Sequence, residues 1–487
     1  MAGFIVYDLV FLILFTLGVI LFLYKKRHNL KREGIMYLYR TRVGMKIIDK
    51  IGGKYKKTLK FLSYIAITSG YILMIAMIYL LGQLVYVYIR NPEIVRAIKI
   101  PPLMPLIPYL PEVFKIDFLP PFYFTYWIIA IAIIAIFHEF AHGILMKRYG
   151  IGIKSTGFGF LGPFLAAFVE QDQKSFEKAG KFEQIAVLSA GTFTNLILSI
   201  IFFLLLSVFF IAAYQPAGAM FNTYTAEQVS LSAITMIGGI SISNTSNQAI
   251  IDKITTNQLS VDLTLTDGES VDLTKISANG KNYYIPVGNL REQLETNNDY
   301  VILYNDFPAI NAGLKGTIIS IDENEIKTYA DLANVMENYN VGNIVDIKTK
   351  YNGEILGYNL TLKEDPSKQG RAVMGIGVLN QQTKIIGKIS EFFNFFKEPA
   401  TDYEPRINSN LIIFIYNLIW WLALVNISVA LANMLPMGLF DGGRMFMLTM
   451  WGISGSEKFG KIMYKIATYA IIALFALLMI VWFIAII

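Results

Sequence analysis

His138-Glu139-Phe140-Ala141-His142 lies toward the end of an apolar run, FYFTYWIIAIAIIAIFHEFAHGILM, at residues 122–146. On a helix the two histidines are at i and i+4, so both imidazoles leave one face. Two neutral imidazoles, one further ligand and a water make a tetrahedral catalytic zinc site. Glu139, beside His138, is placed to act as general base on the attacking water. Pairs of histidines on helices usually pack or cap. Here, however, two of only three histidines in the chain stand with a glutamate inside apolar sequence. Ionisable groups in such a run cost about 2.5–3.5 kcal/mol each on insertion scales and are functional by default. His28, the third histidine, sits in a basic loop and reads as a solvated residue.

A third ligand must come from elsewhere. Asn433-Met434-Leu435-Pro436-Met437-Gly438-Leu439-Phe440-Asp441-Gly442-Gly443-Arg444 closes another apolar run. Its Pro and Gly residues stop a helix, which leaves Asp441 on a turn. If the helix at 122–146 enters from outside, His138 lies about 24 Å down it at 1.5 Å per residue. Asp441 would be at a matching depth. A carboxylate there suits a third oxygen ligand, and an Asp before Gly-Gly equally suits a plain turn.

The elements that must position these groups follow from composition. Of 487 residues, 54% are hydrophobic and 16% charged, against about 25% charged in an ordinary soluble domain. Mean hydropathy is +0.49. These values exclude a disordered or fully soluble chain. The net charge of +6 is too mild to argue for nucleic acid, and with no cysteine, thiolate chemistry and disulfides are excluded. Six apolar runs, at 4–24, about 60–89, 122–146, about 184–214, about 410–435 and about 463–487, are each long enough to span a bilayer as a helix. The expectation is a polytopic α-helical membrane protein with about six transmembrane helices. Residues 25–57 carry twelve Lys+Arg against two acids, and the connections at 147–183 and 444–465 are also basic. With alternating spans all three share one side, which the positive-inside rule makes cytoplasmic. Both termini and the stretch between the fourth and fifth spans are then extracytoplasmic, and the paired histidines lie near the cytoplasmic side of the cell membrane. The proline-rich loop at 90–121 is expected to be non-helical.

Between about 215 and 405 the apolar runs give way to short alternating segments separated by Asn, Asp and Gly. Asn352-Gly353 between two such segments signals a hairpin, and YADLANVMENY at 329–339 reads as one helix. Residues 386–407 read as an amphipathic segment at the membrane surface. The boundaries expected are therefore 1–120, two N-terminal spans with a basic loop; 121–214, a first part of the catalytic core; 215–405, a mostly β soluble domain; and 406–487, the second part of the core.

His138–His142 on a membrane helix, followed across a soluble insert by Asn433-x-x-Pro436 and Asp441-Gly442, resembles the site-2 protease family of intramembrane zinc metallopeptidases. Gly157–Glu170 (GFGFLGPFLAAFVE) resembles that family's membrane-associated β-loop. Ala190-Gly191-Thr192-Phe193-Thr194-Asn195 resembles its Gly-Pro-x-x-Asn segment, with Thr192 in place of proline. Gly438, Phe440 and Arg444 also depart from the common pattern, but no ligand or base is lost. The resemblance implies that His138, His142 and Asp441 bind Zn2+ and that Glu139 activates water. It further implies that Asn433, Asn195, Gly157 and Gly162 contact substrate. The activity implied is hydrolysis of a peptide bond in or near the transmembrane segment of membrane-protein substrates within the lipid bilayer, as in regulated intramembrane proteolysis. Pro308–Ile321 (PAINAGLKGTIISI) resembles the core of PDZ domains, so the inserted domain is expected to be PDZ-like with an insertion at 222–300. Such a domain implies peptide binding by strand addition or a size filter. Two readings of other classes stand beside this one. A metal-ion transporter would show repeated halves, and none is seen. A catalytically idle adaptor acting through the PDZ-like domain would not need Glu139.

Overall fold

The computed structural model of the chain describes all residues except 1, 35, 91–100, 103, 115, 117–118, 162–163, 242–262, 268, 296–298, 379–394, 408 and 487. Contacts divide it into two compact units, Met1–Phe210 with Asn410–Ile487, and Ile211–Ser409. Six helices among the described residues are long and apolar enough to cross a membrane. They are α1 (Ala2–Lys26), α3 (Lys56–Arg90), α4 (Phe124–Arg148), α5 (Lys181–Ala213), α6 (Asn410–Asn433) and α8 (Glu457–Ile486). The chain is a multi-pass membrane protein with a β-rich soluble region in its middle.

In the first unit α4 is the hub, packing against α1, α3, α6 and a short helix α2 (Met45–Lys54). A row of α4 residues four apart is buried: Tyr126, Ala130, Ile134, His138 and His142. That row winds slowly around the helix and ends in the two histidines, both turned inward. The start of α4 is capped from another helix. Asp8 of α1 is 1% exposed, and its carboxylate accepts the backbone N–H of Phe124 at 2.8 Å and of Thr125 at 2.9 Å. The hydroxyls of Thr125 and Tyr109 donate to it as well. First-turn N–H groups have no partner within their own helix, and an Asp oxygen normally satisfies one of them from the preceding residue. Here the cap comes from a different span.

The basic loop at 25–57 holds more structure than its charge suggests. It contains α2 and two strands, β1 (Leu30–Glu33) and β2 (Met36–Thr41). These join β3 (Ile153–Leu161) and β4 (Phe164–Gln171) in an antiparallel sheet of order β1-β2-β3-β4. Arg40 of β2 stands opposite Gly157 of β3. It reaches Glu170 of β4 at 2.8 Å, and Ser155 also donates to that carboxylate at 2.6 Å. The Arg40 hydrogen bond, then that from Ser155, holds the Glu170 carboxyl below the usual carboxylate range. A further helix, α7 (Asp441–Ser454), occupies the segment read as a turn. The Pro-rich stretch after α3 includes one helical turn, Leu110–Val113, since Pro at the first turn of a helix gives up no internal bond.

Among the described residues, the second unit has two cores. One sheet has the order Glu354–Thr361, Ile344–Tyr351, Thr317–Ile321, Tyr214–Ala219, Thr401–Pro405. It buries Ile318, Ile321, Val345, Ile347 and Leu360 together. Asn352 and Gly353 both have positive φ, 51° and 89°, as a two-residue hairpin turn requires. The other sheet, built between Ala226 and Asn305, surrounds Ile276, Ile285, Leu290, Val301 and Leu303. The helix at Tyr329–Met336 is present, capped by Thr328 and Asp331, and a second helix lies at Val287–Glu295. Of the segment read as amphipathic, residues 386–394 lie outside the described residues. Thr401–Pro405 is a strand.

Candidate functional site

His138 and His142 are both over nine-tenths buried, and their Nε2 atoms are 3.0 Å apart. Asp441 Oδ2 lies 3.5 Å from His138 Nε2 and 3.3 Å from His142 Nε2. Three donor atoms thus form a triangle with edges of 3.0, 3.3 and 3.5 Å. Ligands about 2.0–2.1 Å from a tetrahedral zinc are about 3.3–3.4 Å apart, so the triangle is of the size a zinc ion needs. Two nitrogens and a carboxylate oxygen are also donors that zinc accepts. The Glu139 carboxylate lies within 4.8 Å of both imidazoles.

The other ring nitrogens are held from α5. His142 Nδ1 is 2.6 Å from the carbonyl of Val187. A carbonyl can only accept, so Nδ1 carries the proton and Nε2 presents its lone pair to the triangle. His138 Nδ1 faces the amide of Asn195 at 3.1 Å. With the amide nitrogen toward the ring, Asn195 Oδ1 is buried without a partner. Turning the amide gives Oδ1 the Nδ1–H and frees Nε2 in the same way. Gly191, one turn before Asn195, faces the ligands. A Cβ there would stand 2.5 Å from His138 Nε2 and from His142 Nε2. The missing side chain leaves a cradle in front of both nitrogens.

Asp441 opens α7, where a carboxylate is favoured by the helix dipole. The two glycines after it serve close approach rather than helix termination. A Cβ on Gly442 would meet the backbone of Met434, and one on Gly443 the backbone of Met437. The segment after α6 folds down onto the first turn of α7, which is how the chain brings Asp441 to the histidines. Asn433 is the last residue of α6 and directly precedes Met434.

Glu139 Oε2 accepts the N–H of Val169 on β4 at 2.9 Å. Val169 stands opposite Thr156 of β3, and β4 is an edge strand. Since the Val169 N–H goes to Glu139, alternate residues of β4, Leu165, Ala167 and Val169, turn their backbone groups away from β3. An apolar cavity of about 170 Å³ lies beside this edge, lined by Phe15, Ile131, Ala135, Leu165 and Ala167 among others. Gly157 is on the inner strand β3, paired to β2 and β4, and is not at the free edge. Gly162 lies outside the described residues. His28 is exposed just after α1.

Two contributors carry no reactive side chain: the carbonyl of Val187 and the bare α-carbon of Gly191. The small-residue run Ser189-Ala190-Gly191 is the sequence signal for the second. Asp8 is a third contributor outside the motifs. A lone carboxylate within the first apolar run was its signal.

The model of peptidase family M50 matches residues 126–478. A curated protein of Methanocaldococcus jannaschii, described as uncharacterized, is 33% identical over 196 residues, 39% of this chain and 48% of its own length. The chain therefore spans about half the length of the curated relative it matches.

Proposed function

This chain belongs to peptidase family M50, the site-2 protease family, and from that premise we propose a zinc-dependent intramembrane endopeptidase. Its substrates are membrane proteins, cut in or beside a transmembrane segment. The observation that carries this reading is the triangle formed by His138 and His142 of membrane helix α4 with Asp441 of α7, and Glu139 beside it. Zinc held by those three residues would supply Lewis acidity at the scissile carbonyl. Glu139 takes the proton of the attacking water and returns it to the departing amine nitrogen. Val187 and Asn195 fix the tautomers of the two imidazoles.

A helical substrate hides its scissile amide in i→i−4 hydrogen bonds and must unwind to react. Lipid cannot satisfy the backbone groups that unwinding exposes. The free edge of β4 offers the groups that can, next to Glu139, so the substrate is read as adding to the sheet as a further strand. Asn433 is assigned to the substrate backbone or the developing oxyanion. The inserted unit is assigned a PDZ-like role at the substrate's outer portion.

The test is Glu139→Gln in reconstituted lipid, with zinc and cleavage measured in the same preparation. The variant should keep its zinc and lose cleavage by at least a hundredfold, the lower range for a positioned acid–base group. Chelator should abolish cleavage by the unaltered enzyme. Normal cleavage by the variant would overturn the mechanism.

A further inference from the structure

Helix α2 lies along the catalytic helix over the turns that follow Glu139. The Gly44 α-carbon faces the Phe140 ring. A Cβ on Gly143 would stand 2.8 Å from Ile48 Cδ1, and one on Gly52 would stand 2.7 Å from Lys147 Cβ. Ile48 is fully buried, and Asp49 pairs with Lys147 at 2.7 Å. One face of α2 is thus seated on α4 between Phe140 and Lys147, at the level where the apolar sequence of α4 ends in Lys147-Arg148.

The other face is of a different kind. Lys46, Lys50 and Lys54 recur every fourth residue and are exposed, as are Arg42, Lys56, Lys57 and Lys60. Residues 42–60 hold seven basic side chains and one acid, and that acid, Asp49, is engaged by Lys147. Among these cations stand exposed apolar side chains, Val43 at 68%, Ile47 at 52% and Tyr55 at 49%. Lysine with interspersed apolar and aromatic groups at the end of the apolar zone matches a surface with buried chains below and negative charge above.

We propose that the outer face of α2 docks on anionic lipid headgroups of one leaflet, while its inner face holds the catalytic helix. Charge complementarity selects this occupant. The depth set by α4 selects a lipid surface over a soluble acidic partner.

The native chain has no cysteine, so Ile47→Cys gives a single attachment point for an environment-sensitive fluorophore. The full-length protein is reconstituted in mixed phosphatidylcholine–phosphatidylglycerol vesicles. Quenching is measured with either lipid spin-labelled at its headgroup. Phosphatidylglycerol should be preferred near the probe by on the order of tenfold, and the preference should shrink as salt rises. Replacing Lys46, Lys50 and Lys54 together by Gln should reduce the preference by about half or more, whereas replacing them by Arg should keep it. The Arg variant separates lost charge from lost folding, and because no cleavage is read, failure of the peptidase reading leaves the result intact. Equal quenching by both lipids, or a preference undiminished in the Gln variant, overturns the proposal. So does a preference that inorganic phosphate abolishes while chloride of equal ionic strength does not, since the ligand would then be a free anion.

Discussion

The two histidines and the glutamate were legible because their chemistry and their surroundings conflict. Charged or polar side chains in an apolar helix demand a reason, and i,i+4 spacing supplies one. Asp441 was harder to read. Gly442-Gly443 looks like a helix stop, yet in the structure both glycines begin α7, because the backbone at Met434 and Met437 leaves no room for a Cβ. Gly191 is harder still, since what it contributes is space. It leads to a sharp expectation. Gly191→Ala puts a methyl group 2.5 Å from both Nε2 atoms, in the space a zinc ion would need, and zinc affinity should fall by about tenfold or more. Asp441→Ala should weaken zinc comparably, and Asp441→His should restore part of it, because nitrogen can take the place of oxygen. Metal content after dialysis against graded chelator reads all three. Full zinc in Gly191→Ala would mean that the imidazoles, not the open α-carbon, set the room at the site.

At the scale of elements, the spans were visible and the parts between them were not. MYLYRT at 36–41 alternates as a strand should, but the surrounding lysines and arginines suggested only a solvated loop. The same charge concealed α2, whose Gly52 and Gly53 lower its intrinsic helix propensity. It forms because Ile48 and Gly52 fit against α4. Together β1 and β2 cover one side of β3, which leaves β4 as the edge nearest Glu139. Proline distinguishes the two sides of β4. Ala167→Pro removes an N–H that faces the open edge and should spare the pairing with β3. KM for a membrane substrate should rise roughly 2–10-fold, the worth of one hydrogen bond, with zinc content unchanged. Ala166→Pro removes an N–H that faces Gly159 instead, and should loosen the sheet and lower thermal stability. Equal kinetics for unaltered enzyme and Ala167→Pro would sink the strand-addition reading.

At the scale of the whole molecule, the distribution of Lys and Arg predicts that the inserted unit is extracytoplasmic. Single cysteines at Ser277 or Asn352 should react with an impermeant thiol reagent added outside right-side-out vesicles, against a background free of native thiols. Protection at both sites would reverse the topology. That the middle of the chain is rich in β-structure could be read from its loss of long apolar runs. Its second core, around Ile276 and Leu290, could not, because short alternating strands do not announce which partners they choose. The first and last strands of the insert pair with each other, Tyr214 opposite Pro405, and the Arg406 N–H donates to the Ala213 carbonyl at 2.9 Å. Chain entry and exit are therefore about 5 Å apart, the spacing of neighbouring antiparallel strands. The insert thus leaves and rejoins the flanking chain at neighbouring backbone positions, as the two ends of a hairpin turn do. Such an insert is a cassette. Replacing 220–400 by Asn-Gly should leave that turn closed, α5 and α6 in register and zinc content unchanged, while the range of outer domains tolerated on substrates shifts. Entry and exit so close together let the insert vary in size or content without lengthening the connection between α5 and α6.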